Sequence, residues 1–157
     1  MAVKITESQG TKCHLVATTV ATDTAATVKT AITGGKEIKF LPDLGDIGTS
    51  KNVTSYNFIN TDEVAKSIGS LTLPNFACDL IYDATDTAGQ ADIKAMYADN
   101  SRRKMIIALN DNGGANPTYI TFEVAISALN LGITKDNAIM AKSTIEICSV
   151  PVTIKAA

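Results

Sequence analysis

The residues with the most chemical reach are few and scattered. The single histidine, His14, directly follows Cys13, and a thiol beside an imidazole is the minimum for an activated nucleophile. On a strand, neighbouring side chains point to opposite faces, so these two cannot share a proton; His14 reads as a surface or interface residue. Thr33-Gly34-Gly35-Lys36-Glu37 has the glycine and lysine of a phosphate loop. That loop also needs a glycine six positions before its lysine and a hydroxyl after it, and Thr30 and Glu37 stand there instead. Gly113-Gly114 opens no helix, which removes a dinucleotide site. The pairs Asp43/Asp46 and Asp83/Asp86 could ligate calcium, yet neither has EF-hand spacing, and Asp in such places forms turns and caps. Cys13, Cys78 and Cys148 lie far apart without C-x-x-C spacing, as reduced packing residues do. The chain is therefore expected to be no enzyme and to hold no cofactor or metal.

Composition narrows the class further. A chain of 157 residues suits one domain, taken here as 1–157. The net charge of -2, with no basic block longer than Arg102-Arg103-Lys104, argues against a broad nucleic-acid-binding face. Absent Trp and sparse aromatics leave little to stack bases or sugars on. The longest apolar run, 105–109, is one strand long and cannot cross a bilayer. The first residues carry no apolar h-region, so no secretory signal is expected.

Ala, Thr, Ile and Val dominate, and they suit pleated surfaces. Strands are predicted at 12–19, 36–41, 53–59, 71–82, 104–109, 119–129 and 139–150. In 36–41, Ile38 and Phe40 share one face, Glu37 and Lys39 the other. Pro74 marks 71–82 as an edge strand or one with a bulge. In 119–129, Ile120, Phe122, Val124, Ile126 and Ala128 share one face, with Thr121, Glu123 and Ser127 opposite. In 139–150, Ile139, Ala141, Ser143, Ile145 and Ile147 alternate with Met140, Lys142, Thr144 and Glu146. Residues 21–32 are Thr/Ala-rich without a clean period and read as a loop or an irregular helical turn. The surest element is a helix at 87–99. Thr87 and Gln90 have capping-box spacing, Ala88, Ile93, Met96 and Tyr97 form the apolar stripe, and Asn100 stops it. Ahead of it, the Gly/Asp/Ser/Asn-rich segment 41–70 is too long for an ordinary loop. The sum is a mainly β chain, a sandwich or barrel with one packed α-helix and a long extended loop or hairpin arm.

The order of these elements resembles the tail tube (major tail) proteins of long, non-contractile-tailed bacteriophages. The resemblance runs from about residue 36 to 154. It rests on Leu41-Pro42-Asp43-Leu44-Gly45-Asp46 ending an early strand, the polar arm with residues 53–58, and the strand 70–82. The helix Ala88-Gly89-Gln90-Ala91-Asp92-Ile93, the strand 102–109 with its 110–114 turn, and two last strands separated by Leu131-Gly132-Ile133-Thr134-Lys135 complete it. Residues 17–32 have no counterpart in it. The resemblance implies a virion protein assembled in the host cytoplasm, in hexameric rings that stack into a hollow tube. Its partners would be copies of itself, the tail terminator and tail tip proteins, and, without specific binding, the tape measure protein and transiting DNA; no membrane is implied.

On that footing the arm is the expected ring-stacking contact, with Val53, Tyr56, Phe58 and Ile59 as anchors and Asp43, Asp46, Lys51, Asp62, Glu63 and Lys66 as polar contacts. Carboxylates on non-core strand faces, Glu37, Asp79, Glu123 and Glu146, are candidates for a bore that gently repels phosphate. Two alternatives differ in class. A carbohydrate-binding sandwich would need Tyr56, Tyr82, Tyr97 or Tyr119 exposed together. A tail-completion or baseplate protein of the same fold would make a single ring.

Overall fold

The computed structural model describes residues 9–39, 41–59, 62, 64–111, 116–135 and 137–155. Phe40, Glu63, Asp136 and residues 112–114 of the glycine turn lie outside that set. Nine strands and two helices are present among the described residues. In chain order they are β1 (Lys12–Ala17), α1 (Ala25–Gly34), β2 (Lys36–Ile38), β3 (Ser50–Asn57), β4 (Val64–Thr72) and β5 (Asn75–Ile81). There follow α2 (Gly89–Asp99), β6 (Arg103–Ala108), β7 (Tyr119–Gly132), β8 (Met140–Ile147) and β9 (Val152–Ile154).

Seven strands form one antiparallel sheet in the order β2-β1-β6-β7-β8-β5, with β9 pairing the start of β7. Laid flat, its two edges would stand roughly 24 Å apart at ordinary strand spacing. Instead the chain leaving β2 forms a bridge from Asp43 to Asp79 of β5, and residues from β2 through to β5 share one core around α2. The sheet is rolled towards a barrel. Ile93 and Met96 of α2 pack there with Leu15, Met105, Phe122, Val124, Leu80 and Ile145, all buried. Phe76 and Phe122 meet edge-on at 6.3 Å.

The predicted segment 71–82 is two elements. The chain turns at Leu73-Pro74, so β4 leaves for a separate two-stranded sheet and β5 becomes the edge of the main one. Proline cannot donate to a ladder, which is why the break falls there. The face predicted for 119–129 holds only to Ile126. A bulge at Ser127 shifts the register, so Ala128 pairs with Thr144 on the outer face and Leu129 takes the core side.

Two helix readings need correction. Of residues 21–32, read as a loop or an irregular helical turn, 25–32 are regular helix: α1 starts at Ala25, with Thr24 and Thr27 forming a reciprocal capping box. Thr30 and Thr33 bond their hydroxyls back to the carbonyls of Ala26 and Lys29. Val28 and Ala31 of α1 cover Val16, Ile106 and Tyr119 on the sheet's outer face, a second small core. In α2 the expected Thr87–Gln90 box is absent. Asp86 instead accepts from the Gln90 amide at 2.7 Å, and the Gln90 side chain donates to the Ile81 carbonyl and accepts from the Asp83 amide. Tyr97 is exposed rather than part of the stripe. Asn100, at φ 54, ends the helix in the left-handed region as its type suggests.

α2 is held by charge as well as by packing. Asp92, buried on its inner side, meets Lys36 of β2 at 2.9 Å and Arg103 of β6 at 3.4 Å. Asp92→Ala removes the anchor from two strands and leaves both cations without their carboxylate. Because Lys36 is half-exposed, the cost is set nearer a charged hydrogen bond than a fully buried pair, about 2 kcal/mol, readable in the urea midpoint.

Candidate assembly interface

The arm is a hairpin, and it is narrower than predicted. Residues 41–47 belong to the body: Leu41, Leu44 and Ile47 pack on the main core, and Asp43 accepts from the Gly45 amide at 3.0 Å while bridging to β5. Asp43 and Asp46 thus lie against β5, lining a shallow cavity with Asp79, and do not sit on the projecting arm. The projection itself is β3 paired with β4, and every described residue in it is exposed. A two-stranded hairpin is marginal in water unless something covers it.

Its register sorts the side chains. Val53 faces Ile68, Lys51 faces Leu71, Ser55 faces Lys66 and Asn57 faces Val64. These pairs share one face, giving an apolar patch of Val53, Ile68 and Leu71 with Lys51 beside one end and Lys66 at the other, and Val64 beyond Lys66. The other face carries Thr54 with Ser67 and Tyr56 with Ala65. Tyr56 is therefore on the polar side, away from Val53, while Phe58 and Ile59 lie at the exposed tip with Asp62. Val64, Ile68 and Leu71, three of the four apolar residues on this face, are not among the sequence anchors. Their signal was period-2 spacing interrupted by the extra residue at Gly69-Ser70, where the register shifts.

The four candidate carboxylates all lie on the sheet face opposite the α2 core, but not together. Glu123, Glu146 and Asp79 stand on β7, β8 and β5, whereas Glu37 is on the far edge strand with α1 between. The face is also mixed in charge: Lys104 is in register with Glu123, and Lys142 with Asp79. Asn75 donates to Glu146 at 3.3 Å. The four tyrosines of a sugar platform are dispersed: Tyr119 is buried, Tyr82 has Lys94 over its ring, Tyr97 is on α2 and Tyr56 on the hairpin.

The reactive types are packing groups. Cys13 and Cys78 are buried, and burial pushes both thiols up, Cys78 to about 12. Cys148 is only half-buried. A thiol reagent on native protein should label one cysteine, Cys148, with the other two reacting only in denaturant, as mass spectrometry would count. His14 is buried, not on the surface, and neither ring nitrogen has a partner among the described residues. Burial lowers its pKa most, Glu37 raises it and Lys12 adds a further lowering. The unfolded chain then takes up a proton near pH 6.5 while the folded chain stays neutral. The stabilisation is complete above that pH and is lost as pH falls below it. The urea midpoint should drop between pH 7 and 5.5, and His14→Leu should flatten that drop. Among the described residues no group of His, Cys, Asp and Glu could hold a metal ion, and no helix is long and apolar enough to cross a membrane.

With a rolled sheet, an inner helix and a projecting hairpin in place, the chain can be set beside solved structures. A chain of the PVC sheath/tube terminator, from an extracellular contractile injection system, matches with TM-score 0.68 at 8% identity, over 98% of this chain and 99% of that one. The SPP1 tail tube matches with TM-score 0.63 at 12% identity, over 96% and 80%. A chain of the anti-feeding prophage baseplate matches with TM-score 0.70 at 7% identity, over 99% and 98%. The fold is tail-tube-like. No protein-family model matches the chain, and no curated protein matches it either. The likeness therefore lives in the arrangement of strands and helices.

Proposed function

We propose that this chain is the structural subunit of a tail tube. Copies associate head-to-tail into hexameric rings, and the rings stack through the hairpin into a hollow conduit for DNA and the tape measure protein. The observation that carries the reading is the hairpin, an apolar face of Val53, Ile68, Leu71 and Val64 that nothing among the described residues of its own subunit covers. The edge strands β2 and β9 leave backbone groups along one side for a neighbour to complete. A ring needs a head-to-tail contact that closes, and a tube needs a second, axial one that does not. The matched baseplate chain belongs to a sixfold-symmetrised assembly, which supports six as the ring number. In the bore, Asp79, Glu123 and Glu146 repel phosphate, while Lys104 and Lys142 keep that repulsion mild. Terminator and tip proteins cap the tube in the virion.

Negative-stain microscopy of concentrated protein tests this. Uniform hollow tubes are expected, and a monomer at every concentration would overturn it. The terminator match across nearly the whole of both chains favours a second reading, a protein that forms one closed ring. Rings that never lengthen would select it.

A further inference from the structure

We propose that the apolar face of the hairpin seats in the groove between α1 and β1 of a second copy of this chain. The inference rests on the reading of the hairpin as the axial joint and names its receptor. The groove is a cavity of about 580 Å³ whose lining includes Val16, Val20, Ala26, Thr30, Ala31 and Gly34. No charged side chain lines it and none is larger than valine; Lys29 lies on the other flank of α1, against a different cavity. Small walls leave room for a ridge of branched side chains, which is what Val53, Ile68 and Leu71 present. The hairpin is exposed along its whole described length, so it does not fill the groove of its own subunit.

Charge fixes the alignment of the hairpin along α1. α1 has no basic residue in its last turn, so its final carbonyls form an unneutralised negative end. Asp23, exposed, stands at the opposite end, just before the Thr24 cap. The two ends of the ten-residue helix are about 15 Å apart at 1.5 Å per residue. Among the described residues of the hairpin, Lys51 and Lys66 are the charges paired on the apolar face, and Lys66 pairs across from Ser55. Four residues of strand separate Lys51 from that position, about 13 Å. A hairpin laid along α1 thus places one ammonium on the helix carbonyls and the other on Asp23, with Val53 and Ile68 between them in the groove and Leu71 beside Lys51.

Cross-linking between full-length variants tests the seating, on a Cys148→Ser background that removes the accessible thiol. One population carries Ile68→Cys and the other Thr30→Cys, both exposed positions. After mixing, assembly and mild oxidation, a covalent dimer is expected on a non-reducing gel, at least tenfold above that from Ser67→Cys mixed with Thr30→Cys. Tubes that assemble while Ile68→Cys cross-links no better than Ser67→Cys would overturn the groove as receptor and leave the hairpin as joint. No multimer at any concentration would remove both.

Discussion

Ile68→Asp leaves the subunit folded and stops it from assembling. Ile68 is 68% exposed in the lone chain, so the charge costs the monomer nothing in packing, and surface substitutions of this kind stay within about 0.5 kcal/mol. In the stacked tube the same side chain is covered. Burying what remains of an isoleucine contributes about 2 kcal/mol, a factor of about 30 in concentration per contact, and a carboxylate sealed into an apolar groove adds its own desolvation cost. The concentration at which tubes appear should rise at least 30-fold, by light scattering or microscopy, with the melting temperature unchanged. Ser67→Asp, one residue away but on the polar face, should shift that threshold far less. Tubes of Ile68→Asp forming at the parental concentration would remove the apolar face from the joint.

The contrast between residues 67 and 68 marks the limit of reading the arm from sequence. That an arm existed, and roughly where, followed from composition and length. Which of its residues act together did not, because the deciding facts are pairwise. The turn between β3 and β4 and the irregularity at Gly69-Ser70 set the register, and the register puts Val53 with Ile68 and Leu71 rather than with Tyr56. A one-residue slip exchanges the faces. The start of the arm was misplaced for a related reason. Leu41, Leu44 and Ile47 are three residues apart in a loop with no strand or helix period, yet each finds the core once the sheet rolls far enough for Asp43 to reach Asp79.

In the body, legibility followed the strength of the period. β8 alternates cleanly and buries Ala141, Ser143, Ile145 and Ile147 as expected, while Ile139, expected on the same face, precedes the strand and is exposed. β7 is readable until Ser127, where one unpaired residue reverses the pattern. α1 was hidden because threonine is a poor helix former. Its spacing signal, Val28 with Ala31 and Ile32, is written in small residues, and its stability comes from a side-chain cap and from hydroxyls turned onto the helix's own carbonyls. β9 is too short for any period to reveal. Its place is fixed by pairing with Tyr119, Ile120 and Thr121.

The second large effect concerns how closely α2 sits on the sheet. Gly89 opens that helix, and a methyl group there would meet the Glu37 carbonyl oxygen at 2.5 Å and the Ile38 Cα at 2.7 Å. Both are backbone atoms of β2, so no side chain can swing aside. Alanine is the better helix former by up to about 1 kcal/mol, and at an exposed position that term would win. Here relief requires moving α2 off β2, which strains the buried Asp92–Lys36 contact and unseats Ile93 and Met96 from the core. Overpacking costs of about 1–3 kcal/mol, plus part of the ion pair, outweigh the propensity gain. Gly89→Ala should therefore destabilise by about 3 kcal/mol, or roughly 10 °C in melting temperature for a chain of this size. Gly34→Ala separates the two effects. A methyl group at Gly34, in the last turn of α1, meets nothing within 4 Å, so the propensity term acts alone and the variant should melt slightly higher than the parent. If Gly89→Ala also melted higher, the close approach of α2 to β2 would have to be abandoned, and with it the geometry that lets Asp92 reach two strands at once.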